Sequence, residues 1–262
     1  MINLLILITD GCHLLENHPT DYLKVPHKES QPRLKEPYHD LLFYHPQMDW
    51  LADYAKDKKW NWIDTRPDII IGFVPNQNFY SLGTVMGIYL SLWKEVHGSG
   101  SEAPFPGTQK SWVALSNDSS SDMIARQTLY LSLHPEKIEK GTGYNVADAE
   151  QPSSWSKKWP ALCSYFGLNG TGPSSNPPEM RTFIKENIGT WKKLEAEKGL
   201  QTGHADSPLT FPGFEYFLMT QFDFDRQYDM TKTYATGFGE ERDTLLAWGL
   251  VFDRMRKAKI IP

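Results

Sequence analysis

Several classes of protein are excluded by what this sequence has little of. Its 262 residues include only two cysteines, Cys12 and Cys163, too few for a disulfide framework, which favours a reducing compartment. The net charge is −5 and no run of Lys and Arg forms a basic stripe, so nucleic acid is not an expected partner. No stretch approaches the roughly 20 apolar residues of a membrane span. The apolar run at the start is too short and uncharged for a signal peptide. We therefore expect a cytoplasmic protein with no membrane partner.

Motifs for metal binding and nucleophilic catalysis are also lacking. The eight histidines show no H-x-H or H-E-x-x-H spacing, so no metal site is expected. The sequence contains no G-x-S-x-G nucleophile elbow. Residues 98–103 (GSGSEA) fit a relaxed dinucleotide-binding pattern. They follow a predicted helix instead of a strand and precede Pro104, so we assign them to a loop.

A short β-branched run, residues 68–75 (DIIIGFVP), organises the chain. The run ends in Gly and Pro and predicts a buried strand that is apolar on both faces. Helices are predicted on either side, over residues 47–60 and 80–96, and this alternation is typical of an α/β fold. A further buried strand is predicted at residues 3–9. Ligands in such sheets bind beyond the carboxyl ends of the strands, which here means residues 72–79.

The remainder of the chain is predicted to be mostly helical. Predicted helices cover residues 123–133, 155–166, 179–197, 214–222 and 241–257, with a short strand at 144–147 and a Gly- and Pro-rich linker at 167–178.

One side chain suits a catalytic role by its position. Tyr44 comes just before the first predicted helix, about 20 residues ahead of the run that begins at Arg66. A phenol at a helix start, beside a loop that follows a strand, can donate a hydrogen bond to a developing oxyanion in a reductase. The alternative is that Tyr44 is a packed aromatic residue.

The residues around Tyr44 resemble a known family. Residues 42–49 (LFYHPQMD) are similar to the N-F-Y-Y-x-x-E-D motif of extended short-chain dehydrogenases/reductases of the PRISE type, the progesterone 5-beta-reductase and iridoid synthase-like proteins. The Phe, the first Tyr and the final Asp are kept, whereas His45 and Met48 replace the second Tyr and the Glu. The family's R-P-x-x-I-x-G-F-x-P pattern stands at residues 66–75. Further matches are Gly83-Thr84, residues 105–107, Trp112, residues 119–125 and residues 259–262.

The resemblance implies the C-terminal portion of an extended short-chain dehydrogenase/reductase fold. On this basis residues 1–97 are predicted to form a residual Rossmann-type α/β segment, a parallel sheet with helices. Residues 98–262 are predicted to form a mixed, mostly helical substrate-binding part. The helix within residues 118–135 is expected to pack back on the first segment.

The resemblance also implies a chemistry, the NADPH-dependent reduction of an activated C=C bond in a hydrophobic enone or enal. Tyr44 takes the place of the catalytic Tyr that holds the enolate oxygen. Pro67, Ile70 and the loop Gln77-Asn78-Phe79 are similar to the residues that contact the nicotinamide end of the cofactor. Pro67 suits such a wall because its ring fixes the backbone φ angle.

Two departures from the family pattern leave alternatives open. The sequence has no Gly-rich βαβ half, and its opening strand is similar to a later strand of the family. His13 stands where the family has its catalytic Lys, and no Lys occurs before Lys24. The chain is therefore interpreted either as a truncated reductase, weak or inactive alone, or as a pseudoenzyme that binds small molecules. The substrate and the oligomeric state, including a homodimer, stay open.

We predict that NADPH binds this chain weakly or not at all. The Gly-rich turn and the helix N-terminus that hold a pyrophosphate have no counterpart in the sequence. Calorimetric titration of the purified chain checks this prediction, and an affinity in the micromolar range would contradict it.

Overall fold

The computed structural model describes residues 24–33, 36, 43–75, 81–211 and 213–262, together with the backbone of residues 4–8. Strands in this part are β1 (Leu4–Ile8), β2 (Asn61–Pro67), β3 (Ile69–Ile71), β4 (Glu102–Pro104), β5 (Asp118–Ser120), β6 (Gly143–Val146) and β7 (Asn169–Thr171). Helices are α1 (Tyr44–Ala55), α2 (Leu82–His97), α3 (Gln109–Val113), α4 (Ser121–Leu133), α5 (Trp155–Tyr165), α6 (Met180–Glu186), α7 (Ile188–Lys198), α8 (Phe214–Thr220), α9 (Thr231–Ala235) and α10 (Thr244–Lys257).

The chain forms two compact units, each built from three segments. Unit 1 comprises Met1–Ile69, Ser116–Pro152 and Asp225–Arg242, and unit 2 comprises Ile70–Leu115, Ser153–Phe224 and Asp243–Pro262. Both units are therefore discontinuous in sequence. The single boundary that the sequence suggested at residue 97 stays a prediction.

A parallel sheet forms the centre of unit 1. Its strand order is β1-β2-β6, and both neighbouring pairs are parallel. Helix α4 packs against this sheet, and its side chains Met123, Ile124 and Leu131 are buried. Ser120 caps the helix, because its hydroxyl accepts a hydrogen bond from the Met123 backbone N–H. The predicted α/β fold class with a parallel sheet is confirmed.

The middle strand of this sheet is not the run that the sequence favoured. β2 precedes that run, and only residues 69–71 of the run form a short strand, β3. Within β3 the side chain of Ile70 is 37% exposed between two buried isoleucines, so the strand is apolar on both faces as predicted, but the prediction that it is buried on both faces was wrong. Polar residues fit into β2 because they pair with each other: Arg66 Nε donates to Asp64 Oδ2 at 2.5 Å.

The helix boundaries differ from the predicted ones at two places. α1 begins at Tyr44 instead of residue 47, so Tyr44 is its first residue. The helix predicted over residues 179–197 is interrupted at Asn187, which ends α6 and precedes α7. There the Asn187 side-chain amide donates to the Phe183 carbonyl at 2.9 Å. Helices α2, α4, α5, α8 and α10 begin and end within a few residues of the predicted positions.

Unit 2 contains the parallel strand pair β4–β7 and a core rich in aromatic side chains. The indole of Trp159 is fully buried on α5, and its Nε1 donates to the Ala103 carbonyl of β4 at 2.8 Å. Phe105 packs against both Trp155 and Trp159, with ring centroids 5.7 Å apart in each pair. These contacts join α5 to β4 within the unit.

Helix α2 of unit 2 begins in very close contact with its neighbours. A Cβ atom added to Gly83 would lie 2.8 Å from Val251 Cγ1 and 3.0 Å from the Gly72 carbonyl oxygen. Neither contact can relax easily, because one partner is backbone and the other is a stiff β-branched side chain. Glycine is therefore required at this position by packing.

We predict that Gly83→Ala lowers the free energy of unfolding by about 1–3 kcal/mol, as overpacked sites do. Gly249→Ala in the interior of α10 is the matched control, since a Cβ there meets nothing within 4 Å. The control is expected to be neutral or to stabilise by up to about 1 kcal/mol. Urea denaturation measures both, and equal values for the two variants would refute the packing argument.

Candidate active site

The carboxyl ends of two paired strands form the edge of the unit 1 sheet at which α/β folds place their ligands. β2 ends at Pro67 and β6 ends at Val146, and these two residues are paired in register. The Ser119 hydroxyl connects the two strand ends. It accepts a hydrogen bond from the Asp68 backbone N–H at 3.0 Å and donates to the Val146 carbonyl at 2.8 Å. The backbone groups at this edge are thereby hydrogen-bonded to a buried side chain instead of to solvent.

A buried ion pair lies directly beyond β2. Asp68 and Arg226 are 5% and 4% exposed, and Arg226 Nε lies 3.6 Å from Asp68 Oδ1. Two residues further along, the Tyr228 hydroxyl donates to the Pro67 carbonyl at 3.0 Å. The segment around residue 226 therefore holds both the last residue of β2 and the residue that follows it.

Asn117 holds this segment from a second direction. Its side-chain oxygen accepts a hydrogen bond from the Tyr228 backbone N–H at 2.8 Å. Its amide nitrogen donates to the carbonyls of Ala149 and Glu150, at 2.9 and 3.2 Å. Asn117 is 2% exposed, so one buried amide connects the chain after β6 to the chain around Tyr228.

A second buried carboxylate follows β6. Asp148 Oδ1 accepts hydrogen bonds from the backbone N–H and the hydroxyl of Ser120, at 2.8 and 2.6 Å. Burial is the largest influence on this group and raises the pKa of Asp148 to about 6. The Ser120 hydrogen bonds and Arg242 lower the pKa, whereas the neighbouring Asp118 raises it. Asp148 therefore changes charge close to neutral pH, beside the N-terminus of α4.

Tyr44 is the first residue of α1. In the chain α1 lies between the parallel strands β1 and β2, and it packs against β2. The Tyr44 side chain is half-buried and packs on Phe43, with ring centroids 4.1 Å apart. The Arg33 guanidinium binds both carboxylate oxygens of Asp49 on α1, at 2.7 and 2.9 Å. This bidentate ion pair joins Arg33 to the helix that carries Tyr44.

The sequence-predicted site residues fall into three groups. Tyr44 and Pro67 both belong to unit 1, Tyr44 as the first residue of α1 and Pro67 as the buried last residue of β2. Ile70 belongs to unit 2 and keeps a partly exposed apolar side chain. His13 and the loop Gln77-Asn78-Phe79 lie outside the described residues.

Sequence reasoning missed the polar cluster that surrounds the strand ends. Its members are Asp68, Asn117, Ser119, Asp148, Arg226 and Tyr228. The sequence did contain a signal for this cluster, because a polar residue directly after a strand indicates the carboxyl edge of the sheet. Asp68 closely follows β2, and Asp148 closely follows β6. This signal was overlooked because the strand end was placed at Gly72 instead of Pro67.

The described residues contain neither a metal-binding cluster nor a membrane-spanning helix. Among them, no group of three or more His, Cys, Asp or Glu side chains could hold a metal ion. No helix in the same ranges is long and apolar enough to cross a membrane.

Comparisons with known proteins agree on a family and a fold. A family model described as a PRISE-like Rossmann-fold domain matches residues 7–262. The short chain dehydrogenase ausT of Aspergillus calidoustus is 33% identical over 92% of this chain and 58% of its own length. The (S)-8-oxocitronellyl enol synthase ISY2 of Nepeta racemosa is 26% identical over 85% of this chain and 54% of its own length. The chain thus spans less than two thirds of the length of these two relatives.

Solved structures give the same fold at low sequence identity. RMD from Pseudomonas aeruginosa, complexed with NADPH, superposes with a TM-score of 0.59 and 12% identity, over 97% of this chain and 66% of that one. The predicted Rossmann-type architecture is confirmed by this match and by the family model.

We predict that Asp148 makes the protein more stable below pH 6 than above it. The folded-state pKa of about 6 lies above the ordinary 3.8, so the folded state binds more protons between these values. Stability is then full below about pH 4 and falls as the pH rises through 6, by at most about 3 kcal/mol. Asp148→Asn keeps the oxygen that accepts from Ser120 and should remove this slope.

The exposed variant Asp57→Asn is the control and should leave the slope unchanged. Urea denaturation across pH 4 to 8 measures all three proteins. An Asp148→Asn profile parallel to that of the wild type would contradict the assignment.

Proposed function

The chain belongs to the PRISE-like Rossmann-fold family, and on this premise we propose that it reduces an activated C=C bond in a hydrophobic enone or enal with NADPH as hydride donor. The position of Tyr44 as the first residue of α1, the helix that lies in the chain between two parallel strands, is the observation that supports this proposal most directly. Relatives named as short chain dehydrogenases and enol synthases add to the support.

Two described residues, each considered by itself, support the assignment of the nicotinamide contacts. Pro67 offers a rigid backbone at the end of β2, and its carbonyl is already held by the Tyr228 hydroxyl. Ile70 offers an apolar side chain that is 37% exposed and can contact a flat ring. NADPH, when bound, supplies the hydride and leaves as NADP⁺.

Tyr44 stabilises the charge that develops on the substrate. Addition of hydride to the β-carbon of an enone moves the electron pair of the C=C bond toward the carbonyl oxygen, which becomes an enolate. The Tyr44 hydroxyl donates a hydrogen bond to that oxygen, and the α-carbon then takes a proton to complete the reduction. A donor aimed at a developing oxyanion is among the strongest single contributions to catalysis.

The second candidate function is small-molecule binding without chemistry. The sequence favours it at one position, since His13 stands in place of the family's catalytic Lys. A Lys cation stabilises the phenolate form of a neighbouring Tyr, whereas a His with a pKa near 6.5 is mostly neutral at pH 7. Such a protein would bind the enone without oxidising NADPH.

We predict that Tyr44→Phe lowers the rate of enone-dependent NADPH oxidation by about 10²–10³-fold, because one oxyanion donor is lost. Tyr54→Phe is the matched control: it removes the same hydroxyl from the same helix, but its side chain is 51% exposed. Because NADPH is expected to bind this chain weakly or not at all, the absorbance of NADPH is followed with an N-terminal nucleotide-binding half restored or supplied, and with enones and enals as substrates.

The two candidate functions give different results in this assay. The proposal expects a rate that Tyr44→Phe abolishes, Tyr54→Phe preserves and His13→Lys raises. Enone binding without NADPH oxidation, in both the wild type and His13→Lys, would overturn the reductase proposal and favour the binding protein. A rate that is unaffected by Tyr44→Phe would make Tyr44 a packed aromatic residue.

A further inference from the structure

A recess in unit 2 contains a buried carboxylate that its surroundings do not satisfy. The recess lies between the starts of α6 and α8, and its walls include Pro106, Pro177, Pro178, Glu179, Glu215 and Tyr216. Its empty volume is about 310 Å³, part of it open to solvent. Because this volume includes space that is open to solvent, the recess suits only a small ligand.

Glu215 is the unusual member of this wall. It is 1% exposed, and its Oε2 accepts a hydrogen bond from the Gly213 backbone N–H at 3.1 Å. Its Oε1 is buried and has no hydrogen-bond donor among residues 24–33, 43–75, 81–211 and 213–262. The Gly213 N–H occupies Oε2, and the backbone N–H of Glu215 itself also interacts with the carboxylate. A buried oxygen without a full hydrogen-bond partner destabilises the fold, and a donor that reaches it would remove this cost.

The charges around the recess favour a donor that carries a positive charge. Burial is the largest influence and raises the pKa of Glu215, whereas hydrogen bonds from the backbone N–H groups of Glu215 and Gly213 lower it. Smaller effects come from the Glu179 carboxylate, which raises the pKa, and from Arg181, which lowers it. Glu179 already uses its oxygens to accept from the backbone N–H groups of Arg181 and Thr182 at the start of α6. Two carboxylates thus face one small recess, and a cation that enters it relieves their repulsion.

The other residues of the wall favour a ligand with an apolar group. Three prolines present rigid apolar surfaces that lose no side-chain entropy on binding. Tyr216 is 50% exposed at the mouth, and an aromatic face attracts an organic cation. A bare metal ion would find too few ligands here, whereas an alkyl or aryl group would bury its carbon atoms against the prolines.

We propose that this recess is a binding site for a small organic ammonium ion, with Glu215 as the acceptor of its N–H hydrogen bond. The site lies wholly within unit 2 and requires neither NADPH nor Tyr44. It therefore stands or falls separately from the reductase proposal.

Binding of benzylammonium to the full chain, in the absence of cofactor, tests the proposal. Benzyl alcohol has the same shape without the charge and serves as the matched ligand control. Calorimetry or ligand-observed NMR should detect saturable binding of benzylammonium below about 10 mM and at least about tenfold weaker binding of the alcohol, since hydrogen bonds to charged groups are worth about 1.5–3 kcal/mol.

Three variants locate the binding. Glu215→Gln should weaken the binding of benzylammonium at least about tenfold. Glu197→Gln, at an exposed position of α7, should leave this binding unchanged. Tyr216→Ala, at a half-exposed position, should also weaken it and remains informative if Glu215→Gln unfolds. Absence of saturable binding, or binding that neither Glu215→Gln nor Tyr216→Ala weakens, would overturn the proposal.

Discussion

The buried carboxylate of Asp68 is the constraint on which unit 1 depends. A charge withdrawn from water directly beyond a central strand must be balanced by a nearby opposite charge. Arg226 provides that charge from a segment that is distant in sequence, and Tyr228 follows it to bind the Pro67 carbonyl. The need to balance one carboxylate therefore explains why the chain returns to unit 1 after building most of unit 2. Replacing either partner alone would leave an uncompensated buried charge.

The residues of the motif around Tyr44, 42–49, have different structural roles. Tyr44 is the first residue of α1 and carries the hydroxyl to which the proposed function assigns the enolate oxygen. Asp49, one turn further along, binds the guanidinium of Arg33 with both oxygens and so fixes the chain that approaches the helix. His45 is 4% exposed and belongs to the packing side of α1. A change at Asp49 would thus act on the position of Tyr44 and not on the reaction itself.

Much of the helical structure could be predicted from sequence because local signals agree there with tertiary packing. α2 is apolar nearly all round and buried, and α4 begins where Ser120 can cap it. β2 could not be predicted in this way, because Asp64 and Arg66 interrupt the apolar pattern and form an ion pair only in the folded chain, where Arg66 also donates to the Glu29 carbonyl. The site divides similarly: Tyr44 and Pro67 followed from a resemblance, whereas the contacts of Ser119, Arg226 and Tyr228 join residues that no local pattern connects.

Asn117 has a consequence for modification of the chain. Residues 117–119 read Asn-Asp-Ser, which matches the acceptor pattern for N-linked glycosylation. The nitrogen that would receive the sugar already donates to the carbonyls of Ala149 and Glu150, and the side chain is 2% exposed. Once folded, the protein hides this acceptor from an oligosaccharide-transferring enzyme. A glycan attached before folding would displace the amide that holds Tyr228, so glycosylation and the native sheet edge exclude each other.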